Sequence, residues 1–170
     1  MEDFFKILDV MWNMQVKEHI SHTNIEEHVY ELLFQIDPFL ANQVKHINLD
    51  EYQFKLEKAY QKALDMAGQK SSIAIYFEYN LDNDWQSHFF LCPYYIPQKL
   101  CQTVEAPNDW ACYFDDEVVE GPNLTAFAYL YAQHLGGVLK AYLVARTVAV
   151  FDKVYQRHKT NDLAICVAFH

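Results

Sequence analysis

The 170-residue chain carries 23 Asp and Glu against 13 Lys and Arg, a net charge of −10, together with twelve Phe, twelve Tyr and three Trp. Only four Gly and five Pro interrupt it, a composition that excludes extended disorder and supports one globular domain over residues 1–170. So few cations exclude nucleic acid as a direct ligand, because phosphates need Lys and Arg.

The first residues lack a basic n-region and an apolar h-region, so a cytoplasmic location is expected. Phe4, Phe5, Leu8, Met11 and Trp12 recur at helical spacing and predict a first helix. Thr23-Asn24-Ile25-Glu26 has the form of a capping box. It predicts a second helix with Ile25, Val29, Leu32, Leu33 and Ile36 inward. Asp37-Pro38 stops that helix and caps a short third one. Asp50 is the expected N-cap of a fourth, with Tyr52, Leu56, Ala59, Tyr60 and Ala63 inward and Gly68 at its end.

The period then changes. Ser72 to Tyr79 alternates β-branched and aromatic residues, 81–84 is turn material, and Trp85 to Cys92 reads as the return strand. Trp110 to Phe114 predicts a third strand. Asn123 is the expected cap of a helix from Leu124 to about His134. Gly136-Gly137 breaks the chain before a long apolar helix, about 138–158, with Val138, Tyr142, Leu143, Val148, Phe151 and Val154 in the core. The apolar stretch from Leu124 is cut by Gln133-His134, the two glycines, Lys140 and Arg146, so no segment offers the roughly 20 apolar residues of a membrane span. Lys153, Arg157 and Lys159 complement the negative end of the long helix. Leu163 to Phe169 predicts a closing strand inside the sheet. The fold class expected is α+β: N-terminal helices, an antiparallel sheet built on a hairpin (about 72–92) plus a C-terminal strand (about 163–169), and a long buried helix.

Charge is unevenly placed. Residues 71–139 hold nine acids (Glu78, Asp82, Asp84, Glu105, Asp109, Asp115, Asp116, Glu117 and Glu120) against the single base Lys99, a net −8. The same window contains Trp85, Trp110 and Tyr113. Acids steer a basic protein toward them, and Trp and Tyr supply the buried anchors of such contacts. The partner-binding residues expected are therefore Asp82, Asp84, Trp85, Asp109, Trp110, Tyr113, Asp115, Asp116, Glu117 and Glu120.

Other chemistry has weaker signals. Asp115, Asp116 and Glu117 are hard oxygen ligands, and a metal-dependent hydrolase built on them is the alternative reading. Their spacing does not match a calcium loop, and adjacent carboxylates diverge. His19, His22 and His28 do not share one helix face, as zinc would require. Cys101 or Cys112 beside His88 or His134 would sit among acids, which raise a thiol's pKa and weaken it as a nucleophile. With Cys92 and Cys166, these are expected to be free thiols. No glycine-rich phosphate loop, nucleophile elbow or His-Glu-x-x-His occurs. No catalytic residue, metal or cofactor is expected.

Small size, acidic charge and the missing catalytic signature resemble those of bacterial immunity proteins. That resemblance implies a stoichiometric inhibitor of a cognate basic toxin or effector domain, with no membrane or nucleic-acid partner. Burial of aromatic surface in a homodimer, as in a self-associating structural protein, is a second alternative.

Overall fold

The computed structural model describes residues 4–93, 118–134, 136–160 and 162–169. Its elements in chain order are α1 (Phe4–Val16), α2 (His22–Ile36), α3 (Pro38–Lys45), α4 (Asp50–Lys70), β1 (Ala74–Tyr79), β2 (Ser87–Cys92), β3 (Val118–Glu120), α5 (Thr125–Gln133), α6 (Gly137–Arg157) and β4 (Ala164–Phe169). The fold is α+β, with six helices and a four-stranded mixed sheet among the described residues. The strand expected at Trp110–Phe114 lies outside them. Two compact units divide the chain: Met1–Gln53 with Leu124–Arg157, and Phe54–Asn123 with His158–His170.

The first unit is helical, and α6 is its centre. Fourteen of its 21 residues are buried, Val138, Tyr142, Leu143, Phe151 and Val154 among them. Burial on nearly every side explains why no single apolar stripe stands out along it. Val148, expected in the core, is only half-buried. Helices α1 and α2 pack on α6. From α2, Ile25, Val29 and Leu33 face inward, whereas Ile36 is exposed at the last turn. In α1 the buried residue among those described is Ile7, which the expected stripe skipped, and Phe5 and Trp12 are exposed.

The caps differ from the sequence reading in instructive ways. Ser21 rather than Thr23 caps α2, its hydroxyl accepting from Asn24 N, and Glu26 is engaged elsewhere. Asp37 caps α3 as expected, accepting from Leu40 N at 2.9 Å, with Pro38 at the first helical position. Helix α4 includes Asp50, whose amide donates to the Asn48 side chain. It runs through Gly68 to Lys70, and the left-handed residue that follows is Ser71, at φ 56°.

In the second unit the strand order is β3-β2-β1-β4. Strand β1 pairs antiparallel with β2, from Ala74 opposite Cys92 to Tyr79 opposite Ser87, and β2 pairs antiparallel with β3. Strand β4 corrects two expectations. It runs parallel to β1, making the sheet mixed, and among the described residues it forms an edge rather than lying inside. Long intervening chain permits this, since a parallel return needs a crossover and a hairpin cannot supply one. On one face of the sheet, Phe77 stacks on Phe89 (4.8 Å), which meets Tyr60 of α4 at 5.7 Å. The opposite face carries a smaller apolar cluster around Ala74, Tyr76 and Cys92. No helix is long and apolar enough to cross a membrane among the described residues.

Candidate functional site

Of the expected partner-binding acids, the three that are described, Asp82, Asp84 and Glu120, lie at one end of the sheet. The β1–β2 turn begins at Asn80, whose side chain accepts from the amides of Asp82 (3.0 Å) and Asn83 (3.1 Å). Asp84 and Trp85 then follow at φ 53° and 52°. Two consecutive left-handed residues without glycine are costly, about 1–2 kcal/mol each. The compensation lies in the side chain of Trp85. It is fully buried and stacks on Tyr79 with ring centroids 5.8 Å apart. Trp85 therefore shapes the turn from beneath, which corrects its expected place as a surface anchor. Its bulk turns the chain inward while Asp82, Asn83 and Asp84 stay exposed.

The end of β3 is fastened to this turn. Gly121 N donates to Ser87 O at 2.8 Å, and Ser87 Oγ donates to Pro122 O at 2.8 Å. A Cβ at residue 121 would stand 2.3 Å from Ser87 Oγ and 3.2 Å from Ser87 O, so this approach admits only glycine. One step further, Asn123 Nδ2 donates to Asp84 Oδ2 at 3.1 Å. Asn123 thus serves the turn, while α5 begins at Thr125 with Leu124 at its N-cap and no side-chain cap. This fastening brings the exposed Glu120 to the end of the sheet that carries Asp82 and Asp84. Among the described residues no Lys or Arg forms an ion pair with any of these three. On the smaller-cluster face, Glu78, His88 and Glu120 lie in one cross-strand row. Of the other expected partner-binding residues, Asp109, Trp110, Tyr113, Asp115, Asp116 and Glu117 lie outside the described residues. So does the alternative metal site, which was built on the last three.

Buried charge elsewhere has a structural role. Arg146 of α6 was read from the sequence as an interruption of an apolar run. It is buried, its Nε lies 3.2 Å from Glu26 Oε1, and its Nη atoms donate to the Val44 and Ile47 carbonyls. The guanidinium also sits over Phe127, 5.6 Å from the ring centroid. One side chain thereby joins α2, the C-terminal end of α3, α5 and α6. Burial raises the Glu26 carboxyl above its usual range, against the opposing pull of Arg146 and Lys153. His22 is pushed below its usual value by burial, partly offset by Asp152. His28 is exposed and His19 precedes α2. In the second unit, His158 Nε2 lies 2.6 Å from Glu57 Oε1.

Cys92 and Cys166 are free thiols on the same sheet face, separated by β1. Burial, reinforced by Cys166, holds the Cys92 thiol up at about 12, far from the reactive thiolate. Cys101 and Cys112 lie outside the described residues. Among the described residues no three His, Cys, Asp or Glu side chains converge as a metal site would require. Comparison with protein-family models, curated proteins and solved structures finds no match to this chain.

Proposed function

We propose that this chain is an acidic cytoplasmic binding protein of the immunity type, which neutralises a cognate basic toxin or effector domain by stoichiometric association. The observation that carries this reading is the exposed trio Asp82, Asp84 and Glu120, which has no Lys or Arg counter-ion among the described residues and stands at one end of the sheet, where Gly121 meets Ser87. In sequence, Asp115, Asp116 and Glu117 run directly into the strand that ends at Glu120. Carboxylates without internal counter-ions keep their field for an incoming partner, and a preset backbone lowers the ordering cost on binding. The inhibitor needs no chemistry of its own. Asp109, Trp110 and Tyr113 complete the proposed contact, with Trp110 as the apolar anchor.

The test has two stages. Tagged protein captures its partner from the source cell, and association kinetics are then measured with the purified pair against salt concentration. The on-rate should fall as salt rises and fall again in the double variant Asp82→Lys, Glu120→Lys, because exposed charges are screened over about 8–10 Å. Trp110→Ala should act mainly on the off-rate. Co-production should restore growth to cells making the partner. An on-rate indifferent to both salt and charge reversal would reject this surface, and substrate turnover by the chain alone would reject the inhibitor reading.

A further inference from the structure

We propose that β4 is a self-association edge, at which two copies of this chain pair antiparallel and join their sheets. The strand is the last in the order β3-β2-β1-β4, and among the described residues no strand pairs with its outer side. Ala164 N donates inward to Ile73 O at 3.1 Å. Backbone alternation then directs the amides and carbonyls of Ile165 and Val167 outward, as a ready template for another strand.

Natural edges of this kind are blunted by Lys, Pro, a bulge or a very short strand. Here six residues, Ala-Ile-Cys-Val-Ala-Phe, carry no charge, no proline and no glycine. Val167 is 38% exposed. By contrast, β3 at the opposite edge of the described sheet ends in the charged Glu120.

A second copy is the occupant that fits best. An uncharged strand offers no electrostatic preference for a foreign chain, yet it meets its own copy without like charges opposite one another. The outward residues have odd numbers on both copies. A two-fold axis through Val167 therefore sets outward amides against outward carbonyls along the whole pair, and both edges close at once. Asp82 and Asp84 sit on the β1–β2 turn and Glu120 on β3, two strands away from this edge, so the proposed acidic contact stays clear of it.

Sedimentation and amide exchange test the pairing without any partner. Wild-type protein should move from the 20.0 kDa chain mass to twice that mass as its concentration rises through the micromolar range. Val167→Lys should stay monomeric with an unchanged circular dichroism spectrum. In the wild type, the Ile165 and Val167 amides should exchange more slowly as concentration rises, while Ala164 and Ala168 stay protected throughout. This second readout needs no variant. A monomer at every concentration, a dimer that survives Val167→Lys, or Ile165 and Val167 exchange independent of concentration would overturn the proposal. So would a foreign strand peptide that occupies β4 while the chain itself remains monomeric.

Discussion

Replacing Gly121 by alanine probes the joint that assembles the acidic surface. The glycine is not there for its backbone freedom, since no glycine among the described residues has a positive φ. It is there for space. A methyl group would stand 2.3 Å from Ser87 Oγ, 3.2 Å from Ser87 O and 3.3 Å from Ser87 Cβ. The hydroxyl can rotate away only by giving up its bond to Pro122 O, worth about 0.5–1.5 kcal/mol. The carbonyl cannot rotate, because it accepts from Gly121 itself, so strand separation adds the overpacking cost of about 1–3 kcal/mol. Gly121→Ala should therefore lose about 2–4 kcal/mol in urea unfolding. In a Ser87→Ala background the nearest obstacle recedes to 3.2 Å. The same substitution should then cost about 1 kcal/mol or less, a coupling that a double-mutant cycle reads directly. A loss under about 0.5 kcal/mol in the wild type, or no relief in the Ser87→Ala background, would refute the steric argument.

Phe151→Ala should destabilise the chain by about 3–5 kcal/mol in the same assay, through lost transfer energy and the cavity left in the α6 core. Arg146→Ala should cost about 2–4 kcal/mol, because the half-buried Glu26 loses its hydrogen-bonded counter-ion and the Val44 and Ile47 carbonyls lose their donor. Alkali should destabilise the fold. Burial raises the Cys92 thiol to about 12 and also raises the Tyr76 and Tyr142 phenols, so the folded chain holds protons that the unfolded chain releases. Their contribution is complete below the unfolded values, of about 8.5 for the thiol and 10 for the phenols, and is lost as pH rises toward the folded ones. Urea midpoints measured across that range should fall steadily. In the native state at pH 8, Cys92 should resist alkylation, and it should react once urea unfolds the chain.

Elements with a strong period were legible in the sequence. The alternation at 72–79, the turn after it and the long apolar segment after Gly136-Gly137 each had a local cause, and each became the expected element. Legibility failed where two local signals competed or where the cause was distant. Ser21 and Thr23 both offer a hydroxyl near the start of α2, and the cap fell to Ser21 while Glu26 turned to Arg146, 120 residues away. Gly68 looked like a helix terminator, but α4 continues to Lys70 and the left-handed position passes to Ser71. Trp85 was read by residue type as an interface anchor. Nothing nearby in sequence disclosed that Tyr79 would stack on it beneath the turn. The direction of β4 depended on a connection that periodicity does not report. Composition singled out Asp82, Asp84 and Glu120, and the structure leaves all three exposed at one end of the sheet. The steric demand of Gly121 became visible only once Ser87 stood beside it.

The β1–β2 turn has a further consequence. Its path is fixed by groups other than the tip itself: the Asn80 side chain across the amides of Asp82 and Asn83, the Trp85 ring below, and Asn123 holding Asp84 from the side. The exposed side chain of Asp82 therefore carries little of the framework that displays it, whereas Asn83 Nδ2 donates to Gln86 Oε1 at 3.0 Å and belongs to that framework. Under the proposed function, recognition and folding fall to different residues of the stretch 80–86. The tip can be rewritten for a new counterpart, by natural drift or by grafting, while the scaffold beneath stays as it is.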